Sequence, residues 1–440
     1  MGLNSDLAKT KTVQGLGLRL AAVAKLRAVL AGENLTPLTA GEVLDGRDRA
    51  LANRLVTTAL RRHGQLTEAI GLLLEKGLPK KSGSFEAVLR LSLAQLFYLP
   101  DMGDHSALFL AVEAVKRDPK SHHLAALMNA ILRRAQADAA QFRALPDDLL
   151  FPEWLKSTWT GAYGDVIPDF ANALVEGAPL DLTLKHDNPV LVELLGGRSI
   201  SADTIRVETR DAPVNELPGY SDGRWWVQDA AAAIPARLMT AKAGGRMLDL
   251  CAAPGGKTAQ LVKAGFEVTA LDNGHTRLNR LRDNLKRLSY VADVVEADGT
   301  TYEGRHKFDG VLLDAPCSAT GTFRRHPEVV WHRTAKDIAG RVALQRQFIK
   351  HAVDLLEPGG VLVYCVCSLE PDEGEAQARW IAENVPELAV NPVIPGELPG
   401  LEMTVTTDGH VRTHPGISLG DSGGKGDTLD GFFIARFRRR

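Results

Sequence analysis

The sequence predicts a chain in three parts: an all-helical region over residues 1–142, a small α+β segment over 143–235, and an open, doubly wound α/β sheet over 236–440. Three observations carry this reading. Apolar residues up to about 142 recur with helical period between short links. Two short alternating runs, Leu180–Leu184 and Ile205–Thr209, follow a polar helical stretch that carries Trp154 and Trp159. From about 236 onward strand-like and helix-like stretches alternate, the pattern of a parallel sheet covered by helices.

In the first part, Leu16, Leu20, Val23 and Leu30 share one helical face. Leu51, Leu55 and Ala59 repeat every fourth residue, and the basic turn Arg61-Arg62-His63 before Gly64 predicts a helix end. A strongly apolar helix runs from Phe85 to Leu99, where Pro100 stops it, and two more cover His105–Arg117 and Leu124–Arg134. Five or six such helices make a compact bundle. In the third part, Arg246–Cys251, Phe266–Asp272, Asp293–Asp298, Gly310–Asp314 and Gly360–Cys367 read as strands, with helices over Thr258–Ala264 and Thr276–Leu288. Gly416–Asp427 reads as a flexible loop, and Gly431–Phe437 as a last strand before an arginine tail.

At 440 residues the chain is too long for one ordinary core, and its 45% hydrophobic content is that of a globular protein. A formal net charge of -2 gives no bulk signal for nucleic acid, so any basic surface must be local. Four cysteines in such a length are no disulfide framework. Met1–Asp6 lacks the basic-then-apolar build of a secretory signal, and Asp6 stands where a myristoylation signal has Ser or Thr. No apolar run is long enough to span a bilayer. The expected compartment is the cytoplasm, with no membrane partner, no metal and no obligate oligomer.

In an open α/β sheet, ligands bind beyond the carboxyl ends of the strands. Three acids stand there in order: Asp272, Asp298 and Asp314. A carboxylate after the second strand accepts hydrogen bonds from ribose hydroxyls, which gives Asp272 a nucleoside role and leaves Asp298 for an adenine amine. The first turn, Cys251-Ala252-Ala253-Pro254-Gly255-Gly256-Lys257, is not the dinucleotide fingerprint, but its glycines let backbone approach a ligand at a helix N-terminus. An adenosine carrier without a second nucleotide, such as S-adenosylmethionine, fits this pattern better than NAD.

Two thiols complete the pattern. Cys317 follows Asp314-Ala315-Pro316, and Cys367 ends the apolar run Val361–Val366. Cys365 and Cys251 read as small buried hydrophobes. Cys317 and Cys367 lie at the ligand face, where Pro316 helps aim Cys317 outward. Two thiols and a carboxylate suit methylation at C5 of a pyrimidine. A thiolate adding at C6 makes C5 an enamine carbon able to attack an electrophilic methyl, and a carboxylate at the base edge stabilises the charge that develops. Afterwards the C5 proton must leave and the thiolate be expelled, which a second thiol assists. Chemistry alone leaves open which thiol is the nucleophile.

Leu248–Thr258, Leu313–Thr322 and Tyr364–Glu373 resemble the signature motifs of RNA 5-methylcytosine methyltransferases of the Sun/NOL/NOP type. In the helical part, Leu55–Arg62, Arg90–Leu96, Val112–Val115 and Met128–Arg134 resemble the NusB-like RNA-binding fold. The pairing is similar to the bacterial enzymes that methylate a cytosine of small-subunit (16S) ribosomal RNA. The resemblance implies a Rossmann-like S-adenosylmethionine-dependent methyltransferase domain behind a NusB-like domain. It implies that Cys251 to Lys257, Asp272, Asp298 and Asp314 hold the cofactor, that Cys367 is the nucleophile, and that Cys317 helps release product. The family usually has Thr before the nucleophile, and this chain has Val366. In the DNA enzymes the Pro-Cys cysteine attacks, which would nominate Cys317 instead.

For RNA contact, Arg324-Arg325-His326, His332-Arg333, Lys336 and Arg341 form a basic stretch beside the active-site motifs. Trp225-Trp226 reads as core, with base stacking as the alternative. The target cytosine must be unpaired or flipped. Rival readings are a transfer RNA or DNA target, and a catalytically silent RNA-binding assembly factor.

Overall fold

The computed structural model describes residues 13–39, 45–207, 213–242, 244–419 and 427–440. Met1–Asp6, the predicted strand residues Glu208 and Thr209, and most of the predicted Gly416–Asp427 loop lie outside the described residues. The chain forms two compact units, one holding the chain as far as Lys156 together with His326–His332, the other Ser157–Arg325 and Arg333–Arg440.

The first unit is helical: α1 (Leu16–Leu30), α2 (Gly46–Arg61), α3 (His63–Leu73), α4 (Phe85–Tyr98), α5 (Asp104–Arg117), α6 (Ala125–Ala137) and α7 (Ala139–Arg143). The strongly apolar stretch read from sequence is α4, buried on every side from Phe85 to Phe97 except at Glu86. A helix buried all round is the centre of its bundle, and Leu26, Leu55, Ala111 and Leu132 from its neighbours complete the core. Asp45 starts α2 by accepting the Asp48 amide at 2.7 Å. The stretch His326–His332 is part of this unit. Glu328 accepts the Leu35 amide at 2.8 Å, His332 Nε2 lies 2.9 Å from the Val29 carbonyl, and the Trp331 ring lies 4.8 Å from that of His63.

The boundary falls within α8 (Glu153–Tyr163), which is followed by α9 (Ile167–Glu176). A four-stranded antiparallel sheet comes next, from β1 (Leu180–Leu184), β2 (Gly197–Ser201), β3 (Thr204–Val207) and β4 (Trp225–Val227), in the order β2-β3-β1-β4 with α10 (Pro189–Leu194) beside it. A buried pair ties β3 to β1: Arg206 donates to both Asp181 oxygens, at 2.7 and 2.9 Å. Trp225 and Trp226 are buried, and their indoles donate to Pro218 O at 2.8 Å and Gln228 Oε1 at 2.7 Å. They are core residues, not a stacking platform.

The large sheet is built by α11 (Ile234–Arg237), β5 (Arg246–Leu250), α12 (Gly256–Lys263), β6 (Glu267–Asp272), α13 (His275–Leu288), β7 (Asp293–Glu296), β8 (Phe308–Asp314), α14 (Ala335–Leu355), β9 (Leu356–Val366), α15 (Glu375–Asn384), β10 (Leu388–Val390), β11 (Val411–Thr413) and β12 (Phe432–Arg439). The strand order is β10-β12-β9-β8-β5-β6-β7, with β11 on β12. β9, β8, β5, β6 and β7 run parallel, and β12 runs antiparallel to β9. Helices cover both faces, which is why Val361–Val366 is an unbroken apolar run, buried throughout. Connection order reverses between β5 and β8. Leu271, Leu250, Leu313 and Tyr364 lie in one row across the sheet. The next row, at the carboxyl edge, is therefore Asp272, Cys251, Asp314 and Cys365, with Cys367 two residues beyond.

Candidate active site

At that edge β5 gives way to the glycine turn. Cys251 takes a left-handed backbone (φ 67°), and Gly255 does so again (φ 100°) where α12 begins. A Cβ on Gly255 would stand 2.9 Å from Leu281 Cγ, so the turn needs glycine for space as well as for φ. Beyond the turn lies a cavity of about 310 Å³. Its polar wall includes Asp272, Asp314, Cys317 and Cys367, its apolar wall Leu271, Pro316 and Phe348, and its cations are Arg277 and Arg341.

Asp272 is buried. One carboxylate oxygen accepts the Gly274 amide at 2.8 Å and Arg277 at 2.7 Å, and the other accepts the Ala253 amide at 3.3 Å. Gly299 also lines the cavity, and a Cβ there would stand 2.7 Å from both Leu250 and Phe348 side chains, so only glycine lets the chain pass this close. Behind the turn, Asp249 is fully buried. Its Oδ2 accepts Thr258 Oγ1 at 2.6 Å while its Oδ1 has no partner, and burial pushes its carboxyl up to about 7. A carboxylate for ribose hydroxyls and apolar walls for a purine fit S-adenosylmethionine.

The two thiols meet: Cys317 Sγ and Cys367 Sγ are 3.4 Å apart. The hydrogen bond to Cys367, then burial, then the charges of Cys367 and Glu373 push the Cys317 thiol well above its usual range, which favours its neutral S–H form. Asp314 is held from two sides. Lys257 Nζ donates to its Oδ2 at 2.8 Å, and Cys365 Sγ is 3.5 Å from its Oδ1. Burial works against the Lys257 ammonium, but Asp314 beside it outweighs this and raises its pKa.

A residue that sequence reasoning gave no role anchors both thiol loops. Glu373 is fully buried and accepts the Ser318 amide at 3.0 Å, Ser318 Oγ at 2.5 Å, Ser368 Oγ at 2.6 Å and Gln345 Nε2 at 3.0 Å. Ser318 and Ser368 each follow one of the cysteines, and their hydroxyls are 3.0 Å apart. The Gly321 amide donates to the Cys367 carbonyl at 3.1 Å, and Arg333 Nε donates to the Ser318 carbonyl at 2.9 Å. The only hint in the sequence was that Glu373 closes the third matched motif.

Other expectations need correction. Asp298 is not among the residues that line the cavity, although Gly299 beside it is. β7 ends at Glu296, and the exposed Asp298 carboxylate accepts the Thr300 amide at 2.8 Å and hydroxyl at 2.7 Å. Of the turn, Cys251 and Ala253 are among the residues that line the cavity, Pro254 lines a neighbouring groove, and Lys257 reaches Asp314. Arg324 and Arg325 are not phosphate readers. Arg324 is fully buried, and both pair with Asp229 (3.0 and 2.6 Å) and Asp430 (2.7 and 3.0 Å), because two buried acids require two cations. His326 lies 3.5 Å from Glu328, and His332 is taken up by the helical unit. Arg341 is the member that lines the cavity, and its buried Nε has no hydrogen-bond partner. Among the described residues no helix is long and apolar enough to cross a membrane.

A doubly wound sheet with a nucleoside cavity at its switch point and two apposed thiols defines a class, the S-adenosylmethionine-dependent RNA methyltransferases. The family model described as 16S rRNA methyltransferase RsmB/F matches residues 236–438, and that of the NusB family residues 18–137. The chain is 34% identical over 397 residues to ribosomal RNA small subunit methyltransferase B of Klebsiella pneumoniae subsp. pneumoniae, covering 84% of this chain and 90% of that protein. The namesake of Xanthomonas campestris pv. campestris is 34% identical over 410 residues, covering 88% and 92%. The chain belongs to this ribosomal RNA small subunit methyltransferase B family. Among solved structures, the fold is similar to that of PH0851 (TM-score 0.74, 20% identity, 98% of this chain and 100% of that one). It is also similar to NSun6 from Pyrococcus horikoshii with SFG (TM-score 0.55, 20% identity, 66% and 98%).

Proposed function

We propose that the chain methylates C5 of a cytosine in small-subunit (16S) ribosomal RNA through a covalent cysteine–C6 adduct. The observation that carries this is the pair of thiols 3.4 Å apart at the wall of the cofactor cavity, beside Asp314. S-adenosylmethionine supplies the electrophilic methyl when bound, with Cys251, Ala253 and Asp272 as its contacts and Ala252, Pro254, Gly255, Gly256 and Lys257 shaping the turn.

Cys367 is the nucleophile in this reading. Its thiolate forms a bond to C6, the C5=C6 pair moves to C5, and C5 becomes the carbon that takes the methyl. The likeness of Tyr364–Glu373 to the family motif supports the assignment, and Cys317, 3.4 Å away, is placed to donate its S–H to the Cys367 thiolate. Once Cys367 is bonded to C6, Cys317 gives up its proton to solvent; its thiolate then takes the C5 proton, the C5–H electron pair reforms C5=C6, and the S–C6 bond breaks to release Cys367 as thiolate. Asp314, fixed by Lys257, accepts the exocyclic amine at the base edge, where uracil would present a carbonyl instead. Arg341, which lines the cavity, supplies a cation for the phosphate of the target nucleotide. Val366 in place of the family's Thr removes a hydroxyl but no thiol. The division into a NusB-like domain (1–142), a connecting segment (143–235) and a methyltransferase domain (236–440) is part of the proposal, with the first as an RNA-binding platform and the cytoplasm as the compartment.

The test is a denaturing gel with deproteinised small-subunit rRNA and S-adenosylmethionine. Cys317→Ala should trap a covalent protein–RNA band, and Cys367→Ala should be inert without one. A band trapped by Cys367→Ala would exchange the two roles. Absence of 5-methylcytosine from rRNA treated with the wild type would end the proposal.

A further inference from the structure

We propose that the basic face of α13 is the track on which the RNA strand beside the target nucleotide lies. This rests on the rRNA reading above and locates that RNA on the catalytic unit. α13 carries Arg277, Arg280, Arg282, Lys286 and Arg287 against a single acid, Asp283, in a chain whose net charge is -2. Composition does not produce such a concentration by itself, and it makes a local positive field.

Arg277, Arg280, Asn284 and Arg287 follow one another at spacings of three or four residues, so they form one stripe along the helix. At 1.5 Å per residue the stripe is roughly 15 Å long, enough to follow a short run of nucleotides. Its first member, Arg277, lines the catalytic cavity. The other three line a groove of about 380 Å³ together with Tyr220, Pro254 and Asp283. Ala253 faces the cavity and Pro254 the groove, so one step of backbone separates them.

The groove holds one fixed cation and one exposed cation. Arg287 donates to the carbonyls of Tyr220 and Trp225, both at 2.9 Å, and to Asn284 at 2.7 Å, with its guanidinium 4.3 Å over the Tyr220 ring. Arg280 stands exposed three residues from Arg277. A cationic channel that opens beside the cavity suits a phosphodiester chain, because a flipped base must enter the cavity while its backbone stays outside. Its place one backbone step from the cavity favours RNA over an acidic protein surface.

The test is binding of the full chain to deproteinised small-subunit rRNA across a salt series. It compares wild type, Arg280→Glu, Asp283→Asn, and Arg379→Glu at an exposed position of α15 as a charge-matched control. Arg280→Glu should weaken binding roughly tenfold and flatten the log–log salt dependence by about one unit. Asp283→Asn should tighten binding, a gain that misfolding does not produce. S-adenosylmethionine affinity, read by calorimetry, should stay at the wild-type value in all three. The proposal falls if Arg280→Glu weakens RNA binding no more than Arg379→Glu does, or if Asp283→Asn fails to tighten it. A wild type that binds rRNA but leaves no 5-methylcytosine in it would defeat the function proposed above, while these comparisons would still decide the groove.

Discussion

Replacing Glu373 by glutamine keeps the shape of the side chain and removes its charge at the point where the two thiol loops are joined. The carboxylate accepts two short hydroxyl bonds, 2.5 Å from Ser318 and 2.6 Å from Ser368, and amide bonds from Ser318 and Gln345. Hydrogen bonds to a charged group are worth about 1.5–3 kcal/mol each. A glutamine turns one oxygen into a donor, which then faces another donor. The expected loss is about 2–4 kcal/mol of stability, part of it offset because a buried charge is no longer desolvated. The kinetic effect should exceed what unfolding accounts for. Freed from their clamp, the thiols lose the 3.4 Å spacing, and misplacement of about 1 Å costs on the order of a hundredfold in rate. The assay is single-turnover methylation of rRNA at a temperature where urea titration shows the variant folded. It is joined to a double-mutant cycle with Ser368→Ala. We expect kcat to fall on the order of a hundredfold with KM for RNA unchanged, and a coupling energy above about 1 kcal/mol. A folded Glu373→Gln enzyme with wild-type kcat, or additive effects in the cycle, would refute the clamp.

Other perturbations have equally definite outcomes. Asp249 is pushed up to about 7 by burial, above an unfolded value of about 3.9, so its contribution to stability is complete in acid and lost as pH rises through 7. Glu370, raised to about 7 by burial, acts in the same direction. Thermal unfolding of Asp249→Asn should therefore depend less on pH between 5 and 8 than the wild type does, with its relative gain at the alkaline end; an unchanged pH slope would contradict this. Gly321→Ala would place a Cβ 1.9 Å from the Gly431 carbonyl oxygen, and backbone on both sides leaves no escape. Denaturant titration should show a loss of about 3 kcal/mol or more, with methylation abolished. Arg324→Met should cost about 3 kcal/mol, because Asp229 and Asp430 keep only Arg325, while the salt dependence of rRNA binding stays as in wild type. A flatter salt dependence with intact stability would restore Arg324 as a phosphate contact.

The carboxyl edge of the sheet was legible in the sequence because register turns position along a strand into place in space. Leu250, Leu271 and Leu313 stand near the ends of their strands and pair in one row with Tyr364, so the residues after them fall in the next row. Asp298 shows the limit of that argument. The run Asp293–Asp298 reads as one strand, but β7 stops at Glu296, and the Asp298 carboxylate is engaged by Thr300. Arg324 and Arg325 show another limit. Their partners Asp229 and Asp430 lie 95 and 106 residues away for Arg324, and no local pattern announces a pairing of that range. Glu373 sits among polar neighbours in Pro371-Asp372-Glu373-Gly374-Glu375, and nothing but tertiary structure separates the buried acid from the others. α13 was legible as an amphipathic helix, but its charged side became informative only once Pro254 and Tyr220 stood opposite it.

The helical unit includes His326–His332, a piece of chain made long after the rest of that unit. During synthesis α1 to α6 leave the ribosome first, but the Leu35 amide, the Val29 carbonyl and the face of His63 wait for Glu328, His332 and Trp331. A fragment cut after the last bundle helix would expose a seat shaped for a segment it does not contain. The two units are thus interlocked in the order of translation, and the helical one is finished only when the chain has passed Cys317.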